Sequence, residues 1–222
     1  YSIKNFWMNI MFKGYQRILI LAPHTDDGEL GLGGTVAMLT ESGKDVYYAA
    51  FSTCEESVPS EYPSDILTKE LMMATDILGI PSKNVMIYDY KVRNFSSSRQ
   101  NILDDMISLR NTCKPDLVFI PSLNDVHQDH STIASEGVRA FKNITLLGYD
   151  LIWNKLECKN VVFCQLDEHH IQKKHEALYQ YRSQGSRAYM SKEFVFGQAV
   201  TRGVQVGLKY AESFEVIRWI VK

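Results

Sequence analysis

The chain has 222 residues, 45% of them apolar and 23% charged, with a formal net charge of −2. Domains of ~100–200 residues are the norm, and a chain this long buries a core without staples. The near-balanced charge excludes the basic footprint of a nucleic-acid or anionic-membrane binder, and no apolar run approaches the ~20 residues that span a bilayer.

Residues 1–15 are apolar in places but lack the h-region and small-residue cleavage site of a signal peptide. They read as an N-terminal extension or an added segment, with 16–222 as one domain. The Phe6–Trp7 pair in that segment is a candidate oligomer contact. "RILILAP" (17–23) predicts the first strand, followed by a glycine-rich turn and a helix over "GGTVAMLTESG" (33–43). "DVYYAAFS" (45–52) is the second strand. "CEESVPSEYPSD" (54–65) is a long polar loop placed to lie over a site. A helix over 64–80 carries Leu67, Leu71, Ala74 and Leu78 on one stripe, with Gly79 as its stop.

"NVMIYDY" (84–90) and "PDLVFIPS" (115–122) are strands three and four, around a helix over 99–115. A fourth helix over 130–142, a strand at 144–150, a strand at 161–166, a helix over 167–182 and a strand at 213–221 complete the order. Strand–helix alternation with nearly continuous apolar strands predicts an α/β, Rossmann-like doubly wound sheet, mostly parallel, with helices on both faces. Cys54, Cys113, Cys158 and Cys164 form no C-x-x-C pair. They read as reduced thiols of a cytoplasmic protein.

Two motifs carry chemistry: "PHTDDGE" after strand one and "NDVHQDH" after strand four. In the doubly wound order 3-2-1-4-5 those strands are neighbours at the switch point, where ligands bind beyond the carboxyl ends. Two imidazoles and a carboxylate form a zinc site with an open position, and His24, Asp27 and His130 make such a trio. Asp26 is then a carboxylate placed to take a proton from water. Spacing alone does not choose between Asp26 and Asp27. His127 can donate to an oxyanion or a leaving group, with Asp129 orienting its ring. His169, His170 and His175 line a predicted surface helix and read as a solvated face. "GLGGTV" has Val36 where a dinucleotide fingerprint needs its last glycine, and the acids before it repel a pyrophosphate.

With these motifs the chain resembles the PIG-L, or LmbE-like, family of zinc-dependent N-acetylglucosaminyl deacetylases. The family's H-P-D-D-E stands here as "HTDDG", H-x-D-H is intact as "HQDH", and "SQG" (183–185) and "YAESFEV" (210–216) are similar to its carboxyl-terminal part. The resemblance implies a Rossmann-like α/β fold, one zinc or other divalent ion per chain on His24, Asp27 and His130, and Asp26 as general base. It implies that His127 assists at the oxyanion or the amine, supported by Asp129. Gly28 replaces the motif's acid, with Glu29 beside it. Leu67 stands where many relatives have an arginine, three residues before Glu70. Arg93 is the candidate contact for an anionic or polar substrate group, with Arg182, Arg187 and Arg202 behind it. The expected activity is removal of acetyl from a small-molecule amino sugar, free or nucleotide-linked. The alternatives are a deacylase of another amide or ester, and a nucleotide-binding Rossmann protein.

Overall fold

The computed structural model describes residues 12–157 and 159–221. Residues 1–11 with the Phe6–Trp7 pair, Cys158 and Lys222 lie outside the described residues.

The elements in chain order are β1 (Arg17–Ala22), α1 (Asp27–Glu41), β2 (Asp45–Ala50), α2 (Ile66–Ile77), β3 (Val85–Ile87), α3 (Arg99–Cys113) and β4 (Leu117–Pro121). Then follow α4 (Gln128–Ala140), β5 (Thr145–Tyr149), β6 (Val162–Leu166), α5 (Glu168–Leu178), α6 (Lys192–Val204) and β7 (Tyr210–Arg218). The described strands form one sheet in the order β3-β2-β1-β4-β5-β7-β6. Strands β1 to β5 pair in parallel, and β7 runs antiparallel to both β5 and β6.

The apolar runs are continuous because the sheet is covered on both sides. Side chains alternate along a strand, so Ile18 and Ile20 of β1 join one core cluster and Leu19 and Leu21 the other. Strand β4 divides the same way, with Leu117 and Phe119 opposite Val118 and Ile120. Helices α1, α2, α5 and α6 cover the first face, and α3 and α4 the second. The expected doubly wound, mostly parallel architecture is therefore the one the chain adopts. Phe12 packs into the first cluster, its ring 6.5 Å from that of Phe119. No described helix is long and apolar enough to cross a membrane.

Helix α1 begins at Asp27, six residues before the expected start, and breaks at Leu32 (φ −149°, ψ 21°). A break frees carbonyls on one side and amides on the other. A buried ion pair takes both: Lys174 Nζ donates to Leu30 O (2.7 Å), while Glu212 accepts from Gly34 N (3.1 Å) and Thr35 N (2.7 Å). Lys174 and Glu212 meet at 2.7 Å. The glycines of this turn make room for neighbours. A Cβ on Gly28 would lie 2.5 Å from the Tyr48 ring, and one on Gly31 would collide with the ring of Tyr149.

Strands β1 and β4 lie side by side, with Ile18, Leu19 and Ile20 opposite Leu117, Val118 and Phe119. The chain leaves their carboxyl ends in opposite directions, towards β2 and towards β5. The crevice between those exits is where both motifs sit.

Candidate metal centre and active-site pocket

The first motif turns sharply after β1. His24 N donates to Asp27 Oδ2 at 2.8 Å, which folds the aspartate back over the turn. From below, Tyr48 Oη (3.0 Å) and Tyr181 Oη (2.7 Å) both lie within hydrogen-bond distance of Thr25 O. The same two hydroxyls meet Glu29 at 2.5 and 2.9 Å. Glu29 is fully buried and does not line the pocket. Burial raises its pKa to about 8 against the tyrosine hydrogen bonds, so it stands as a neutral acid bracing the turn from behind. At Gly28, where the motif has its acid, Tyr48 occupies the space that a side chain would need.

The second motif caps α4. His127 is the N-cap, and its Nδ1 accepts from Asp129 N at 3.2 Å. That bond assigns the His127 tautomer: Nδ1 is the acceptor, so Nε2 carries the proton. Burial lowers the His127 pKa, and the neighbouring imidazoles lower it further, which keeps this donor neutral.

Three donor atoms converge between the motifs. His24 Nδ1 lies 3.1 Å from Asp27 Oδ2, His130 Nε2 lies 3.3 Å from the same oxygen, and the two nitrogens are 3.2 Å apart. Ligands at about 2.0–2.2 Å from a tetrahedral ion stand about 3.3 Å from one another, so the triangle fits a divalent cation. The far nitrogens are committed elsewhere. His24 Nε2 is 3.1 Å from Asp129 Oδ2, and His130 Nδ1 is 2.8 Å from Asp125 Oδ2. Each carboxylate holds the proton on the outer nitrogen and leaves the inner lone pair for a metal. The ring of His127 lies in the same cluster. Its Nδ1 is engaged by Asp129 N, whereas Asp27 Oδ2 stands within 3.3 Å of both His24 Nδ1 and His130 Nε2.

Charge points the same way. Burial works against a charged His24, yet Asp27 and the Asp129 hydrogen bond raise its pKa to about 9. His130 is raised to about 10 against its burial by Asp27 and Asp125. Asp27 is held well below its ordinary value by both imidazoles, against the effect of burial. The three groups favour positive charge at their centre, and protons and a metal compete for it. Burial and the Asp27 charge raise Asp26, beside them, to about 6.

Asp129 differs from its expected role. Its carboxylate does not orient His127; it accepts from His24, from Arg93 N (2.6 Å) and from Phe95 N (3.3 Å). Only its backbone reaches His127. The reason is depth: Asp129 is fully buried under the turn, whereas His127 stands at the pocket wall. Asp125 carried no assigned role in the sequence. It fixes both motif histidines, taking His127 N at 2.9 Å as well as His130.

These groups floor a pocket of about 230 Å³. Leu30, Leu67, Val92 and Leu151 form its apolar wall. Leu67 thus faces the pocket at the position where a family arginine was missing. Arg93 lines the pocket with its backbone at φ 65°, a left-handed conformation stabilised by the bond to Asp129. Arg187 lines it as well. Arg182 instead lies 3.4 Å over the Tyr179 ring, and Arg202 pairs with Asp150 at 3.0 Å. The long loop after β2 contributes Cys54 and Ser57 to the pocket.

The glycine-rich turn offers little to a phosphate. Its amides at Gly28, Gly34 and Thr35 are spent on Tyr48 and Glu212. A second cluster, Glu41 with His169 and His170, is an ion-pair network: Lys173 already pairs with Glu41 at 3.0 Å. His170 Nδ1 accepts from Asp167 N, so its Nε2 bears the proton that faces Glu41. His170 is only 3% exposed, so that histidine is not part of a solvated face.

Known proteins share this fold. A family model described as PIG-L, GlcNAc-PI de-N-acetylase, matches residues 19–141. The diacetylchitobiose deacetylase of Thermococcus kodakarensis is 26% identical over 144 residues, 61% of this chain and 53% of that protein. The chain thus spans about half the length of this curated relative. The structure of N,N′-diacetylchitobiose deacetylase from Pyrococcus horikoshii matches with a TM-score of 0.77 at 19% identity, over 98% of this chain and 93% of that one. A 4-carboxy-2-hydroxymuconate hydratase from Pseudomonas putida KT2440 matches with a TM-score of 0.73 at 18% identity, over 93% and 98%. The fold alone therefore does not choose a reaction. The family model spans more than half of the chain and contains both motifs: the chain belongs to the PIG-L family.

Proposed function

We propose that the chain is a metal-dependent N-deacetylase acting on an N-acetylated amino sugar or its conjugate. The observation that carries this reading is the triangle of His24 Nδ1, Asp27 Oδ2 and His130 Nε2 beside Asp26, on the floor of a pocket of about 230 Å³. That volume lies just below the ~300–1,000 Å³ of drug-sized ligand sites, a size for one sugar unit. A nitrogen-and-carboxylate set of this kind suits zinc, one ion per chain. Such an ion supplies Lewis acidity towards an amide carbonyl and acidifies water.

The chain's own groups do the rest. Asp26 takes the proton of the attacking water on its carboxylate. The Nε2–H of His127 hydrogen-bonds to the oxygen of the tetrahedral carbon and assists at the departing nitrogen, to which Asp26 hands the proton it took from water. The C–N bond breaks, water supplies the new C–O bond, and acetate and the free amine leave. Asp129 and Asp125 act as positioning residues through His24 and His130. Arg93 contacts a polar or anionic group of the substrate at the pocket edge. The described cysteines Cys54, Cys113 and Cys164 are buried and unpaired, which fits a reducing, cytoplasmic setting.

A second reading, a deacylase of longer amides or esters, is favoured by the apolar wall of Leu30, Leu67, Val92 and Leu151. A panel of N-acetylhexosamines, free and nucleotide-linked, with longer acyl analogues, separates the two in the zinc-loaded protein. Acetate release from the acetylated sugars supports the first reading. Turnover confined to the longer acyl compounds supports the second.

A further inference from the structure

One wall of the pocket has no part in the hydrolytic chemistry. Trp153, in the loop after β5, stacks on Tyr189 with centroids 4.2 Å apart and planes 11° apart. Phe194 of α6 backs Trp153 at 5.9 Å. Trp153 keeps 41% exposure, and both Trp153 and Tyr189 line the pocket. An indole stacked on one ring, braced by a second and still partly exposed at the pocket is a rigid platform, and the apolar C–H face of a pyranose is its natural complement.

Arg187 stands over the same wall. Its Nη1 donates to Tyr189 Oη, and its Cζ lies 5.8 Å from the Tyr189 ring centre. The other arginines near the fold's acids are occupied: Arg99 and Arg139 by Glu136, Arg202 by Asp150. Among the described residues, Arg187 has no carboxylate in ion-pair contact. Its segment is held firmly, because buried Glu70 accepts from Ser183 N (2.9 Å) and Oγ (2.6 Å). A guanidinium steered by one hydrogen bond, with the remainder of its fork free at a pocket, is suited to a carboxylate or a phosphate.

We propose that Arg187, with the Trp153–Tyr189 stack, forms a subsite for an acidic group on the substrate. The preferred substrate is then an N-acetyl amino sugar that bears a carboxylate or a phosphate, its ring lying on Trp153. This rests on the deacetylase reading for the identity of the reacting group, but the binding preference stands apart from turnover.

The test compares N-acetylglucosamine with its 1-phosphate, its 6-phosphate and its 3-O-lactyl ether in the zinc-loaded protein. Titration calorimetry reads binding, and acetate release reads turnover. At least one acidic sugar binds about tenfold more tightly than the neutral one, and Arg187→Gln abolishes that preference through KM. Arg187→Lys restores part of it, and Trp153→Ala weakens neutral and acidic sugars alike, by several-fold. The phosphate and lactyl arms tell which acid is read. Equal binding of neutral and acidic sugars overturns the subsite. So does a preference that survives Arg187→Gln, or a loss in kcat that is equal for all sugars, which would make Arg187 a partner of Asp26. An intact acidic preference without acetate release supports the subsite and counts against the deacetylase reading alone.

Discussion

Asp129 meets His24 Nε2 at 3.1 Å from a fully buried position, and this one bond decides which nitrogen of His24 faces Asp27. The carboxylate keeps the proton on Nε2 and leaves Nδ1 as a lone pair. Two backbone amides, from Arg93 and Phe95, hold the carboxylate itself. Replacing it by an amide keeps the shape and removes the charge. Asp129→Asn is therefore expected to weaken zinc binding by about 10–100-fold, as is usual for such outer partners. Competition with a chelator of known affinity measures it. Asp125→Asn acts on His130 in the same way, through the 2.8 Å bond to Nδ1.

The break in α1 depends on Lys174 and Glu212, which are 4% and 6% exposed. Removing one partner leaves the other charge buried and the broken helix ends unpaired. Lys174→Met is expected to cost about 3–5 kcal/mol, read from the urea midpoint at constant slope. Since the break follows directly from the turn that carries Asp26 and Asp27, the variant also binds zinc less well at a temperature where it is still folded.

The strands were legible in the chain because the sheet is buried on both faces, which writes them as unbroken apolar runs such as "RILILA". The two motifs were legible because their types and spacing are rare outside metal sites. Helix α6 was not foreseen. Gly197, Gly203 and the β-branched Val195, Val200, Thr201 and Val204 argue against a helix locally. The Ser191 cap on Phe194 N, and a Gly203 that lets the helix end pack on the backbone at Leu208, override them. The partner of the Asp129 carboxylate was also illegible. His24 lies 105 positions away, while His127 lies two away, and local spacing favours the wrong histidine. Glu29 beside Gly28 looks like a displaced ligand. Only the placement of Tyr48 and Tyr181 shows that it faces away from the pocket.

Glu41 gives the fold an acid-sensitive contact away from the site. It sits 2.8 Å from His169 Nε2 and 3.0 Å from Lys173 Nζ. Partial burial opposes its charge, but these partners hold its pKa down to about 2 from the ordinary 4.5. A carboxylate depressed on folding contributes its stability above the unfolded pKa and loses it as the pH falls towards the folded one. Its side chain is 36% exposed. Screening by solvent therefore keeps the contribution below about 1 kcal/mol. Glu41→Gln should be less stable than the parent by that amount at pH 6. The difference should shrink as the pH falls below about 4.5 and vanish only below the folded pKa of about 2, as urea unfolding across that range will read.

The proposed mechanism divides the labour between two adjacent aspartates, with Asp27 to hold the ion and Asp26 to move the proton. The direct measurement is zinc stoichiometry together with acetate release, for the parent, Asp26→Asn and Asp27→Asn. Asp26→Asn should keep about one zinc per chain and lose about 10²–10⁴-fold in turnover. Asp27→Asn should lose the zinc and the activity together. Near-parent turnover in Asp26→Asn, or full zinc in Asp27→Asn, would contradict it.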